Sequence, residues 1–543
     1  MNSPTVGDYL IDRLCALGVT DVFGVPGDYV LGFYELLRRR EMRIINTCDE
    51  QGAGFAADAY ARMRGLGVVC VTYCVGGLKV ANTTAEAFAE KSPVVVISGS
   101  PGMKERDKNP LLHHKVRDFD TQLKIFEQIT VASTVLDDAQ TAQNEIDRVL
   151  RATLRFKRPV YIEIPRDKVA APCIPHHRVP EDREESDPNA LREALAEARE
   201  LLDAATQPVI LADIEIHRFG LQEMLLRLAE RANIPMASTI LGKSVVGEQH
   251  PLYLGVYEGA IGREEVRRYV EDSDCALLLG VFMTDVNLGI YTARLEPERS
   301  IYATSEKLTI RHHTYENVLL EDFLNGLLHT PLRVHDPGEI PHPEAAVDFT
   351  SRGASPVTVK RLFERLNSFV TAGMVVIADV GDALFGAADL LIRHRTEFLG
   401  PAYYASMGFA VPAAIGAQLA SPGLRPLVLV GDGAFQMTGM ELSTAVRYGL
   451  NPIVIVLNNG GYGTERHMQD GPYNDILGWN YHRIPEILRA GRGFLVETEE
   501  QLEEALLSAQ SYTEGFCLLE VRLDPADRSP ALQRLAERLS KRL

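Results

Sequence analysis

No run of apolar residues in this 543-residue sequence approaches the roughly 20 needed to cross a bilayer. The N-terminus shows a polar stretch and then the amphipathic segment 6–17, without a basic region leading into an apolar one. No secretion signal is read there. Cysteine is sparse and odd in number: the seven residues Cys15, Cys48, Cys70, Cys74, Cys173, Cys275 and Cys517 are scattered along the chain. Cys70 and Cys74 find no second pair and no nearby histidine to complete a zinc set. The pattern is that of free thiols in a reducing, cytoplasmic setting. Positive charge is also short, with a formal net charge of −18 at pH 7. That balance excludes the clustered Lys and Arg of nucleic-acid binding. The one tight basic run, Arg38 to Arg40, falls at a predicted helix end, where it suits the helix dipole.

What is present is ordinary in amount, with 46% hydrophobic and 24% charged residues. At this length three or four domains are expected. Three stretches alternate short β-branched runs with helical patterns, the mark of α/β domains built on parallel sheets. The first has strands predicted at 22–25, 44–47, 68–72, 94–98 and 160–164. The second opens with a helix at 190–205 and has strands at 208–212, 236–239 and 276–279. The predicted architecture is three doubly wound parallel-sheet domains, at 1–180, 188–330 and 355–543, with linkers near 172–187 and 331–356. Ligands gather beyond the carboxyl ends of such strands, so chemistry is sought in the loops that follow them.

The most specific passage is 426–463. A strand at 427–430 runs into Gly431-Asp432-Gly433, and a second at 453–457 ends in Asn458-Asn459-Gly460-Gly461. Between them Thr438 and Glu441 read as a capping box for a helix carrying Leu442, Ala445 and Val446, closed by Gly449. A right-handed βαβ crossover would bring the two strand ends side by side. A carboxylate, an amide oxygen and a backbone carbonyl there are hard ligands suited to Mg²⁺ or Ca²⁺. Flanking glycines let the backbone approach a diphosphate. Gly-Asp-Gly alone is a common turn; with Asn-Asn 27 positions on, it resembles the thiamine-diphosphate signature. The competing Gly242-Lys243-Ser244 lacks a Walker A glycine, because Ala237 occupies that place, and reads as a turn after a strand.

Thiamine chemistry needs a carbanion at C2 of the thiazolium, which the cofactor's own 4′-amino group generates once a protein acid protonates the pyrimidine N1′. Glu50, after a predicted strand and at the start of a helix, is placed for that role. The helix carries Ala53, Gly54, Ala56, Ala57, Ala59 and Ala61, a small-residue face that permits close helix packing of the kind found at dimer interfaces. Alone, an acidic residue in a first helical turn is ordinary.

Nearly the whole chain resembles, in order, the pyruvate decarboxylase group of thiamine-diphosphate enzymes, which includes the indolepyruvate, phenylpyruvate and branched-chain 2-oxo acid decarboxylases. The resemblance is carried by Val22-Phe23-Gly24-Val25-Pro26-Gly27-Asp28, Glu50, His113-His114, the run 158–165, Ser406-Met407-Gly408-Phe409, the metal motif and Gly461-Tyr462-Gly463-Thr464-Glu465-Arg466. It implies pyrimidine-binding, middle and diphosphate-binding domains in that order. It implies that Glu50 activates the aminopyrimidine and that Asp432, Asn459 and the Gly461 carbonyl hold Mg²⁺. Gly433, Ala434 and Tyr462 would contact the cofactor, Met407 would bend it, and the main chain of Ala405 and Met407 would hold its pyrimidine edge. Glu465 would face the substrate carboxylate, Asp28 and His114 would serve protonation and aldehyde release, and His113 would relay or position.

The departures bear on substrate. Asn459-Gly460-Gly461-Tyr462 replaces the usual Asn-Asp-Gly-Tyr, and Thr464 stands where many members carry Ile or Val. In 380–386 the family has Gly-Thr-Ser followed by aromatic residues, whereas here Val380 opens the stretch and Leu384 replaces Phe or Trp. A widened pocket and a bulky aromatic or long aliphatic 2-oxo acid are expected. The resemblance further implies a homodimer or dimer of dimers, with each site between two copies. A C-terminal helix is predicted from Leu532, Leu535, Leu539 and Leu543, either covering the site entrance or simply docked on the surface. His312-His313 is read as a solvated pair. Two alternatives stay open: a carboligase of the acetohydroxyacid synthase kind and a non-catalytic cofactor-binding subunit.

Overall fold

A computed structural model describes residues 4–173, 184–343, 349–393 and 397–539. Parts of both expected linkers (174–183 and 344–348) and Leu543 of the C-terminal pattern lie outside the described residues. The strands form three sheets, each flanked by helices. The first contains β1 Asp21–Gly24, β2 Arg43–Asn46, β3 Gly67–Val71, β4 Val94–Ser100, β5 Ala132–Val135 and β6 Val160–Pro165, in the order β2-β1-β3-β4-β6-β5. The second contains β7 Pro208–Ala212, β8 Met236–Ser238, β9 Tyr253–Val256, β10 Cys275–Leu279, β11 Ser300–Ala303, β12 Leu308–Ile310 and β13 His313–Tyr315, in the order β13-β12-β11-β10-β7-β8-β9. The third contains β14 Met374–Ala378, β15 Phe398–Leu399, β16 Arg425–Gly431, β17 Ile453–Asn458, β18 Arg492–Val496 and β19 Cys517–Arg522, in the order β15-β14-β16-β17-β19-β18.

The outer sheets are parallel throughout, and their inner strands are buried on both faces, which explains their unbroken Val, Ile and Leu runs. The middle sheet departs from the parallel expectation at one edge, where β11, β12 and β13 pair antiparallel. Two residues, Arg311 and His312, separate β12 from β13, too few for a crossover helix, so the chain returns as a hairpin. His312 and His313 are exposed there, facing Glu298 and Glu197. Gly242 and Lys243 lie in a turn, as expected, and buried Lys243 pairs with Glu248 at 2.7 Å.

The first and third domains meet through two helices, Glu50–Arg64 and Ala410–Ala420, that pack closely. Both are rich in small residues, and a side chain at Gly416 would collide with the Ala56 carbonyl. The close helix packing expected of the small-residue face after Glu50 is therefore present, and it is made inside the chain. That face is covered within one chain, because a partner helix of matching small residues lies in the same sequence. All seven cysteines are free, and among the described residues no helix is long and apolar enough to cross a membrane.

Candidate active site

Beyond the carboxyl ends of β14, β16 and β17 lies a cavity of about 230 Å³. Its wall includes Val380, Met407, Asp432, Gly433, Ala434, Asn459, Gly461, Tyr462, Thr464 and Glu465, so most of the sequence-predicted residues converge on one space. β16 and β17 are parallel neighbours in register from Leu427–Ile453 to Gly431–Leu457, which places the two motif loops together. The Asp432 carboxylate ties them: one oxygen accepts the Gly433 N–H at 2.9 Å and the other the Gly460 N–H at 2.7 Å. Burial pushes this carboxyl up to about 6, so a cation beside it would be favoured electrostatically. The Asn459 side-chain oxygen accepts the Gly461 N–H at 3.3 Å. A Cβ on Gly433 would stand 2.6 Å from the Tyr462 ring, so only glycine allows this approach. A carboxylate, an amide oxygen and a carbonyl beside a side-chain-free glycine wall fit a diphosphate held through a divalent cation.

The capping box expected of Thr438 and Glu441 does not form. Helix begins at Asp432, directly after β16, so Thr438 ends a helix and donates its hydroxyl to the Gly408 carbonyl at 2.6 Å. Glu441 reaches into the first domain and accepts the Cys48 and Asp49 N–H groups, both at 3.1 Å. Gly449 does close the following helix, with φ 66°.

Met407 is 36% exposed in the loop after β15, and Ala405 beside it takes φ 58°, the left-handed region that costs a non-glycine residue roughly 1 kcal/mol. Leu384 does not widen this pocket. Helical phase in Asp382–Ala388 turns it into the core, and Ala383 forms the wall with Val359, Asp382 and Leu523. Those four residues were missed by sequence reasoning. Asp382 and Ala383 follow β14, where the strand-end rule points, but Val359 and Leu523 come from elements with no motif of their own. The described C-terminal helix Pro530–Leu539 packs on Asp382–Ala388 and Gly463–Met468, the two helices that carry wall residues.

The other predicted group lies in the first domain. Asp28, His113 and His114 gather with ligating atoms all within 4.8 Å. His113 Nε2 is 2.8 Å from Asp28, His114 Nε2 is 4.0 Å from it, and Arg166 is 3.8 Å away. The His113 ring stacks on Tyr29 at 4.8 Å and 16°, and His114 adopts φ 67°. Tyr29 and Arg166 were also unforeseen, although Tyr29 adjoins the Asp28 motif. Glu50 starts its helix behind the N-cap Asp49, with only 12% of its side chain exposed and Lys79 at 3.1 Å. Among the described residues, none from the first domain lines the 230 Å³ cavity. One chain therefore presents two groups of polar residues in separate places.

Models of the thiamine pyrophosphate enzymes match in three parts: the N-terminal TPP binding domain over residues 4–124, the central domain over 195–319 and the C-terminal TPP binding domain over 379–521. Indole-3-pyruvate decarboxylase of Azospirillum brasilense is 37% identical over 543 residues, covering 98% of each chain. An alpha-keto-acid decarboxylase of Mycobacterium tuberculosis is 36% identical over 532 residues, covering 96% of this chain and 94% of the relative. One from Mycobacterium avium is 35% identical with the same coverage. The fold and the paired motif loops define a thiamine-diphosphate-binding α/β enzyme. Within that class the chain belongs to the thiamine-diphosphate-dependent 2-oxo acid decarboxylase family.

Proposed function

We propose that this protein decarboxylates 2-oxo acids with bulky aromatic or long aliphatic side chains to aldehydes, in the cytoplasm, as a homodimer or a dimer of such dimers. The observation that carries the reading is the glycine-walled cavity, in which Asp432 and Asn459 meet from adjacent strand ends. When bound, thiamine diphosphate supplies the electron sink for loss of CO₂. Asp432, Asn459 and the Gly461 carbonyl hold Mg²⁺, and the backbone of Gly433 and Ala434 meets the diphosphate, with Tyr462 alongside. Ala405 and Met407 would hold the pyrimidine end, and Glu50 would supply the proton for its N1′.

Glu465, on the cavity wall, faces the substrate carboxylate and disfavours its charge as water is excluded. Asp28 and His114 deliver the proton that completes the aldehyde, and the 2.8 Å contact of His113 with Asp28 supports a relay between them. The N-terminal domain contributes the pyrimidine site and the C-terminal domain the diphosphate site. Since one chain keeps these groups apart, a second copy completes each site. Exposed Leu31, Val75, Leu111 and Val116 in the first domain, with Met407, Met437 and Met440 in the third, supply apolar surface for that copy to cover.

The small walls Val380, Ala383 and Thr464 support a bulky substrate. Comparing kcat/KM for phenylpyruvate, 2-oxoisocaproate and pyruvate with added thiamine diphosphate and Mg²⁺ tests this. The larger acids should win, and a clear preference for pyruvate overturns it.

A further inference from the structure

The backbone around Glu50 is fixed from two sides, but its carboxylate is held on one side only. The helix Glu50–Arg64 starts behind Asp49, whose Oδ1 accepts the Gln51 N–H at 2.8 Å. The two residues before Glu50 are tied to the third domain, where Glu441 accepts the Cys48 and Asp49 N–H groups. One residue then sets the Glu50 side chain. Lys79 lies in the short helix Leu78–Val80, which packs on Glu50–Arg64. Its Nζ stands 3.1 Å from Glu50 Oε2 and also pairs with Asp49 Oδ2. Glu50 Oε1 takes no hydrogen bond from any described residue. Glu50 is nearly buried, whereas Lys79 is half exposed.

An ion pair as open as this adds little to stability, because water screens it and the lysine stem loses freedom. What it supplies is direction. A glutamate side chain can turn either oxygen outward, and acids in a first helical turn meet the helix dipole without needing a cation. Here one ammonium grips two successive carboxylates, the N-cap Asp49 and Glu50, so Oε2 is tied to the helix end. Oε1 is the oxygen left for an incoming group.

We infer that Lys79 is a positioning residue for Glu50: by holding Oε2 it presents Oε1 to the pyrimidine N1′ of thiamine diphosphate. The inference rests on the reading that Glu50 supplies the proton for that nitrogen. Lys79 acts through Glu50 alone, so its effect exists only while the Glu50 carboxylate is there to be aimed.

The test is a double-mutant cycle on the full-length enzyme saturated with thiamine diphosphate and Mg²⁺, reading kcat, KM and the near-ultraviolet circular dichroism of the bound aminopyrimidine. Lys79→Met should lower kcat about 10-fold and alter the dichroism band, and leave KM within about 2-fold, since a loosened acid misplaces the proton without changing how substrate binds. Lys79→Arg keeps a charged donor and should bring kcat back to within about 3-fold of wild type. Added to Glu50→Gln, Lys79→Met should cost less than about 2-fold more, because an effect carried through the carboxylate vanishes with it. Arg38→Met is the control: it breaks an exposed pair with Glu35 in the same domain and should change neither kcat nor the band. Should Lys79→Met fail to fold, Asp49→Asn keeps the cap while weakening the other anchor of Lys79, and should lower kcat about 3-fold. Wild-type kcat in the folded Lys79→Met or Asp49→Asn protein, losses that add in the double variant, or a Lys79→Arg protein as impaired as Lys79→Met overturns the inference. Wild-type kcat in Glu50→Gln would instead overturn the reading beneath it.

Discussion

The first and third domains share one strand order. Replacing β1–β6 by β14–β19 in sequence turns β2-β1-β3-β4-β6-β5 into β15-β14-β16-β17-β19-β18. Their corresponding helices, Glu50–Arg64 after β2 and Ala410–Ala420 after β15, are the pair that packs between them. Yet the loops at corresponding strand ends differ. After β16 and β17 the third domain leaves a cavity walled by glycine. After β3 the first domain fills the corresponding place with its own side chains. There Tyr73 and Cys74 are buried, and Gln122 accepts the Cys74 N–H at 2.6 Å while donating to Ser98 and Tyr161 at 2.8 and 2.7 Å. The same framework thus leaves an open cavity where glycine keeps side chains out, and a packed support where it does not.

The sharpest break in this comparison is Asp432→Ala, which should abolish calorimetric cofactor binding and lower kcat/KM on the order of 10³-fold or more, as loss of a catalytic metal implies. Glu50→Gln should instead retain the cofactor and lose on the order of 10²–10⁴-fold in kcat. Co-expressing these two chains under different tags asks whether the two domains serve one site across copies. A mixed dimer would contain one intact site, so random pairing should restore about a quarter of wild-type activity. No recovery in purified mixed dimers argues that both groups act within one chain.

Next in size is a matched pair. Gly433→Ala pushes on the Tyr462 ring and should weaken cofactor binding about 10-fold with little change in melting temperature. Gln122→Ala should reverse that pattern, costing about 1–3 kcal/mol in urea unfolding while cofactor affinity holds.

The smallest effect concerns the C-terminal helix, which only the third domain carries. Its start is held by Ser529, whose N–H donates to both Asp382 oxygens at 3.2 and 3.0 Å and whose hydroxyl also bonds Asp382. Burial raises the Asp382 carboxyl from 3.8 to about 6, with Asp527 adding to the rise. The folded state therefore binds this proton more tightly than the unfolded chain. The resulting stability is complete below 3.8 and is lost as pH rises through about 6. Asp382→Asn should reduce the fall in unfolding free energy between pH 4 and pH 7 by about 1–2 kcal/mol, read by denaturant titration at several pH values.

Much of this was legible in the chain. Strands buried on both faces announced themselves as apolar runs, and the loops after them as Gly-Asp-Gly and Asn-Asn. The errors were local. Thr438–Glu441 carried a capping pattern, but the helix had already begun at Asp432, and the carboxylate found donors nearly 400 positions away. Leu384 lay in the right stretch and on the wrong helical face. Glu90, which accepts the Tyr403 and Tyr404 N–H groups, and Arg62, which donates to the Gly400 carbonyl, gave no signal, because an acid and a base in helical segments look alike whether they end in solvent or meet a distant loop.

The sequence by itself determined the α/β class, the thiamine-diphosphate family and the two motif loops that meet at adjacent strand ends, since strand periodicity and motif spacing are properties of residues and their order. Tertiary structure alone decided which side chains wall the cavity after β14, β16 and β17, on which face of its helix Leu384 falls, and that none of the described first-domain residues lines that cavity. These depend on which faces meet when sheets and helices bury their apolar surface, and no local pattern encodes that choice.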